Sequence, residues 1–182
     1  NVYVLVKDFS GSVNNTHLDM SSYASTGSQP FYPIQNFTGT FEGQNHKISN
    51  VTINMPTAEN VGLFAKIGSI INKANPVRNL YLKDFNITGG NNVGCLAGVY
   101  SKNNDTTITT ALMLQNVFCN TSTISSKKDN GYTGGLIGLI EKHNTGMQIQ
   151  NVSFIGYIHA DSDNMYKGGL FGGVDDKTPS KT

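Results

Sequence analysis

Carboxylates, imidazoles and thiols are the side chains from which this 182-residue chain could build a catalytic or metal-binding centre, and they are scattered along it. Asp161 and Asp163, in DSDN, place oxygen ligands at alternate positions as a calcium loop would, and they form one weak calcium candidate. The glycine and the closing bidentate glutamate of an EF-hand loop are missing, and no GGxGxDx repeat is present. Cleavage of a polysaccharide would need a converging set of Asp, Lys, Arg or His. Asp175 and Asp176 are the other close pair, lysines are dispersed, and Arg78 is the single arginine. His17, His46, His143 and His159 stand at no ligand spacing from one another. His46 is expected to make a structural hydrogen bond in its turn, and His143 and His159 to be solvated. Cys95 and Cys119 match no zinc or redox motif. A disulfide is open to them in an oxidising compartment, but buried free thiols are the expected state. No nucleophile elbow, phosphate loop or dinucleotide fingerprint occurs. The expectation is a protein without catalytic residues, resident metal or cofactor.

Composition narrows the partners. A formal net charge of +1 with 14% charged residues supplies no field to draw in nucleic acid or an anionic membrane. The chain opens on NVYVLV, too short for a signal segment or a span, and no other stretch is long and apolar enough to enter a membrane. The polar, nearly neutral composition is that of extracellular or cell-surface β-rich proteins. The beginning without Met or a charged leader is expected of a piece of a longer protein or a processed one, and DDKTPSKT, from Asp175, reads as a linker.

Two short signatures return four times in the same order, and they are the elements that any functional residue must be positioned by. Aligned on the first, Asn50, Asn79, Asn116 and Asn151 share a column flanked by apolar residues in every copy, as in ISNVTI and VRNLYL. Asn suits a left-handed corner between two strands. The second signature reads NVGLFAKI, NVGCLAGV, YTGGLIGL and YKGGLFGG, with Gly62, Gly94, Gly134 and Gly168 in one column. Phe64, Leu96, Leu136 and Leu170 follow as core positions. A glycine in all four copies marks a bend or a neighbouring backbone too close for a Cβ. Recurrence of this kind identifies a solenoid.

The expected fold is all-β: a right-handed parallel β-helix of about five coils, stacked at roughly 4.8 Å per coil. One domain spans 1–174, with a leading strand and cap-like segment at 1–40 and four repeats at 41–174, and 175–182 forms a linker-like tail. Stacking makes the Asn column a ladder whose amides hydrogen-bond along the axis. The copies differ mainly in loops such as Ser125–Gly131, His159–Gly168 and Ser101–Thr110. The threonines at 106, 107, 109 and 110 lie in one insertion and do not repeat along the stack, which argues against ice binding.

FTGTFEGQNHKISNVTI (Phe37 to Ile53), preceded by YVLVKDFSG and FYPI and followed by the glycine boxes, resembles the GLUG-repeat family. The likeness covers about Val2 to Val174. It implies a β-helical domain of large secreted or surface-anchored proteins, among them adhesin-like proteins and the non-catalytic parts of IgA-cleaving metallopeptidases. The H-E-x-x-H of such a peptidase is absent: the chain has only Glu141-Lys142-His143.

The expected function is a non-catalytic structural or adhesive module, a rigid spacer whose loops face other domains of the same polypeptide or neighbouring surface or filament proteins. The alternative is a glycan-binding face on which Tyr132 and Tyr166, aligned in successive boxes, stack on sugars with Tyr100 and Tyr157. Less favoured is polysaccharide cleavage. Seven N-x-[ST] sequons exceed the chance expectation of about four. Asn50 and Asn151 are expected to be tied up in the ladder, which leaves Asn14, Asn36, Asn86, Asn104 and Asn120 as acceptors.

Overall fold

A computed structural model describes residues 2–10, 31–68, 76–101, 113–141, 147–163 and 165–175. The calls on Asn14, Asn104, His17, His143, the Thr106–Thr110 cluster and the tail beyond Asp175 lie outside these residues. Every regular element described is a strand, and every pairing is parallel.

The strands fall into coils. A leading partial coil holds β1 (Val2–Val4), β2 (Phe9–Ser10) and β3 (Phe37–Thr38). The first full coil holds β4 (Thr40–Glu42), β5 (Lys47–Ser49), β6 (Thr52–Asn54), β7 (Asn60–Val61) and β8 (Phe64–Gly68). The second holds β9 (Pro76–Lys83), β10 (Asn86–Gly89), β11 (Asn92–Val93) and β12 (Ala97–Ser101). The third holds β13 (Met113–Ser126), β14 (Tyr132–Gly134) and β15 (Ile137–Glu141). The fourth holds β16 (Gln148–Ala160), β17 (Tyr166–Gly168) and β18 (Phe171–Asp175). The solenoid thus has four full coils and a partial one, rather than five. Its walls are sheets of nine, four and five strands.

The first wall folds at two corners because left-handed residues interrupt its strands. Asn79, Asn116 and Asn151 have φ of 55°, 53° and 52° and form one corner. Asn50, Asp84 and Thr121, at 56°, 55° and 54°, form the next. Asn50 therefore does not belong to the Asn79 column. Ile48 pairs with Leu82 and Phe41 with Val77, so the first coil carries two extra residues in its Gly43–His46 turn, and Asn50 stacks at the second corner. The glycine boxes need a similar correction. Phe64 pairs with Ala97, not Leu96, because the first box is one residue shorter, and Leu63 stands against Leu96.

The glycine column is explained by crowding rather than by a left-handed backbone. A Cβ on Gly62 would lie 2.5 Å from the Gly94 carbonyl oxygen, and one on Gly94 2.5 Å from that of Leu136. Substitution would push whole coils apart. Inside, Ile48, Val51, Ile53, Leu80, Leu82, Leu96, Leu114, Val117 and Leu136 are buried in one continuous core. Each such aliphatic contributes about 1.5–3 kcal/mol. Phe37, Phe41 and Phe64 close its leading end, with Phe37 and Phe64 ring centroids 4.7 Å apart.

The two thiols are not free. Cys95, in the turn before β12, bridges to Cys119 of β13, with 6.7 Å between their Cα atoms. Both are wholly buried. The bridge ties one wall of the second coil to a different wall of the third, a contact that only the stacking creates. Closing a loop of this length contributes roughly 3–4 kcal/mol.

Candidate functional site

The most ordered polar constellation runs along the first corner. Asn151 Nδ2 donates to Asn116 Oδ1 and Asn116 Nδ2 to Asn79 Oδ1, each at 2.8 Å. Asn79 Nδ2 then donates to Glu42 Oε1 at 3.0 Å. Glu42 also accepts from the Gln44 backbone N–H at 2.9 Å and from Arg78 Nε at 2.6 Å. Burial raises its pKa, but the hydrogen bonds from Asn79, Gln44 and Arg78 outweigh this and hold it below its ordinary value of 4.5. An ionised carboxylate only accepts hydrogen bonds. It therefore fixes the direction of every amide above it, with each Nδ2 pointing to the leading end and each Oδ1 to the trailing end.

A second column starts the same way and changes character. Asn92 Nδ2 donates to Asn60 Oδ1 at 2.8 Å. Asn92 pairs with Tyr132 and Tyr132 with Tyr166, so the next two members are aromatic. Their rings stack with centroids 4.9 Å apart and planes 15° from parallel. Tyr132 and Tyr166 thus face each other, and the outer face of Tyr166, which is 58% exposed, looks to the trailing end. Tyr157 is 78% exposed on the first wall. Tyr100 is buried, which pushes its phenol up to about 12 and removes it from any sugar-binding surface.

Of the two acidic candidates in DSDN, Asp161 is engaged in ion pairs. Lys127 Nζ lies 2.7 Å from Asp161 Oδ2 and His159 Nε2 2.9 Å from Asp161 Oδ1. The Lys127 hydrogen bond lowers the Asp161 pKa, against a small effect of burial. With Lys127 and His159 on its two oxygens, that carboxylate is poorly placed for calcium with Asp163, and no group of three metal-ligating side chains occurs among the described residues. His159, expected to be solvated, is exposed and also paired with Asp161. His46 Nδ1 lies 3.3 Å from Asp8 Oδ1, which also accepts the Lys47 N–H at 2.8 Å. That backbone N–H is the main reason the Asp8 pKa is lowered, and the contact braces the Gly43–His46 turn.

Of the sequons, Asn36 and Asn86 are exposed, while the Asn120 amide oxygen is buried without a partner. Asn50 is exposed at its own corner, not in the ladder, with Nδ2 3.5 Å from Ser49 Oγ. Two features were not anticipated from sequence, Glu42 as the ladder's terminus and the Asn60–Asn92 pair, and the disulfide, left open there, takes the place of the expected free thiols. The repeated NVG that opens two boxes was a signal for the Asn pair.

Fold and polar columns together define a parallel β-solenoid whose ordered chemistry runs along its axis. An alignment 118 positions long, covering 61% of the chain, is 36% identical to halomucin of Haloquadratum walsbyi. The match covers 1% of that protein, so the chain corresponds to a small fraction of a polypeptide about a hundredfold longer than the aligned stretch. No family model matches the chain, so the GLUG likeness rests on the quoted motifs, and no solved structure matches it either.

Proposed function

We propose that the chain is a non-catalytic structural module of a very long secreted or cell-surface protein, a stiff spacer that holds its variable loops away from the axis. The observation that carries this reading is the axial order: amide columns, a glycine column and a buried disulfide all join one coil to the next. Such joints stiffen a rod. The disulfide supports an extracellular setting, and the similarity to a segment of a far longer protein supports a modular one. Adhesion would fall to the loops, with other domains of the polypeptide or neighbouring surface proteins as partners. Asn36 and Asn86 are the glycan acceptors best presented on this surface. Glycan binding by Tyr132 and Tyr166 is less well supported, because the two rings cover each other's facing sides and leave only the outer face of Tyr166 open.

Antibodies against the folded domain should label intact, unpermeabilised cells that produce the protein. Labelling only after lysis would contradict the reading. A glycosidase-sensitive mass shift lost in Asn36→Gln or Asn86→Gln would identify the modified sites.

A further inference from the structure

The fourth coil is built like the third but lacks its cover. Val152, Phe154, Leu170 and Phe171 are only partly buried, whereas the residues they pair with or stand against, Val117, Cys119, Leu136 and Ile137, are fully buried. Among the described residues β16, β17 and β18 each pair on one side only. Ile155 and Tyr157 stand exposed beside this edge. The residues after Asp175, DKTPSKT, contain no large apolar side chain.

The ladder says what would fit. Because Glu42 fixes its direction, Asn151 spends its Nδ2 on Asn116 and turns Oδ1 towards the open edge. The required partner is a hydrogen-bond donor at the same corner. Two copies of this chain meeting tail to tail would set two acceptor oxygens against each other. A copy meeting head to tail would offer its leading coil, where Val4 occupies the position paired with Glu42 and carries no amide. Another coil with Asn at that corner reproduces the existing interface in both backbone and side chain.

We propose that the trailing edge of the fourth coil is a docking face for a further parallel coil of the same repeat. That coil carries an asparagine above Asn151 and apolar side chains above Val152, Phe154, Leu170 and Phe171. The proposal rests on the reading of the chain as a module of a much longer protein, and it names that module's immediate partner. Strand addition supplies the backbone hydrogen bonds, and the ladder selects parallel register.

The test extends the full chain, residues 1–182, directly with a second copy of residues 113–141. Hydrogen exchange of the β16 amides that face away from β13 should slow at least ten-fold, with a rise in melting temperature. The same extension carrying Asn116→Asp in the appended copy sets an acceptor against Asn151 Oδ1 and should lose most of that protection. Unchanged exchange in β16, including the case in which the appended coil stays unfolded, overturns the proposal. So does equal protection by the Asn and Asp versions. Sedimentation velocity of the unextended chain supplies a further check: a stable dimer that protects β16 would assign the edge to a second copy and overturn it. These outcomes leave the surface-module reading standing, since labelling of intact cells decides that separately.

Discussion

The third and fourth coils have nearly the same sequence pattern and very different environments. Leu136 is wholly buried and Leu170, one coil on, is not; Asn116 both donates and accepts along the ladder, while Asn151 only donates. The difference teaches that a coil of this solenoid does not bury its own core. Burial comes from the coil on either side, so stability is a sum of interfaces between neighbours. The leading end makes the same point from the other direction, since there Phe37 of the partial coil packs with Phe41 and Phe64 of the first full coil in an aromatic cluster.

The largest effect expected from this contrast is that of a buried charge. Leu96→Asp places a carboxylate among side chains covered on both sides and should abolish folding, a loss of several kcal/mol. Leu170→Asp, at the open edge, should leave a folded protein. Circular dichroism on both variants checks the contrast, and equal loss of structure would break it. Next in size is the disulfide. Cys95→Ser with Cys119→Ser should lower stability by about 3 kcal/mol in a denaturant titration, because the bond joins two interior coils.

How much of this was legible in the residues follows from what sets each feature. The solenoid was readable because apolar columns and the glycine boxes recur, and each coil must present the same inner face to its neighbours. Register was less so. Asparagine occurs at both corners of the first wall, so Asn50 aligned naturally with Asn79 although two extra residues in the Gly43–His46 turn carry it to the next corner. A single missing residue moved Phe64 out of the Leu96 column. The disulfide was hidden because the 24-residue separation of Cys95 and Cys119 says nothing about two walls meeting across a stack. Glu42 escaped notice because a ladder of amides can end in a carboxylate, a residue of another type.

Smaller tests sharpen the comparison. Asn116→Gly removes an acceptor from Asn151 and a donor from Asn79 and should cost about 1–3 kcal/mol, whereas Asn151→Gly breaks one bond at an exposed position and should cost under about 1 kcal/mol, since glycine leaves the left-handed backbone at both positions unstrained. Thermal unfolding of the pair, with equal shifts in melting temperature, would remove the distinction between inner and outer coils. The smallest effect is that of acid. The Glu42 pKa is lower in the folded than in the unfolded protein, so its contribution is fully present above the ordinary value of 4.5 and is lost as pH falls through the folded pKa. The melting temperature should therefore drop on acidification below that value, and Glu42→Gln should flatten the drop.

Residue-resolved hydrogen exchange on the unmodified chain tests most directly the claim that burial is supplied by neighbouring coils. Core amides of β13 and β15 should exchange at least ten-fold more slowly than their equivalents in β16 and β18, with the boundary falling between the third and fourth coils. Uniform protection across both coils would contradict the account.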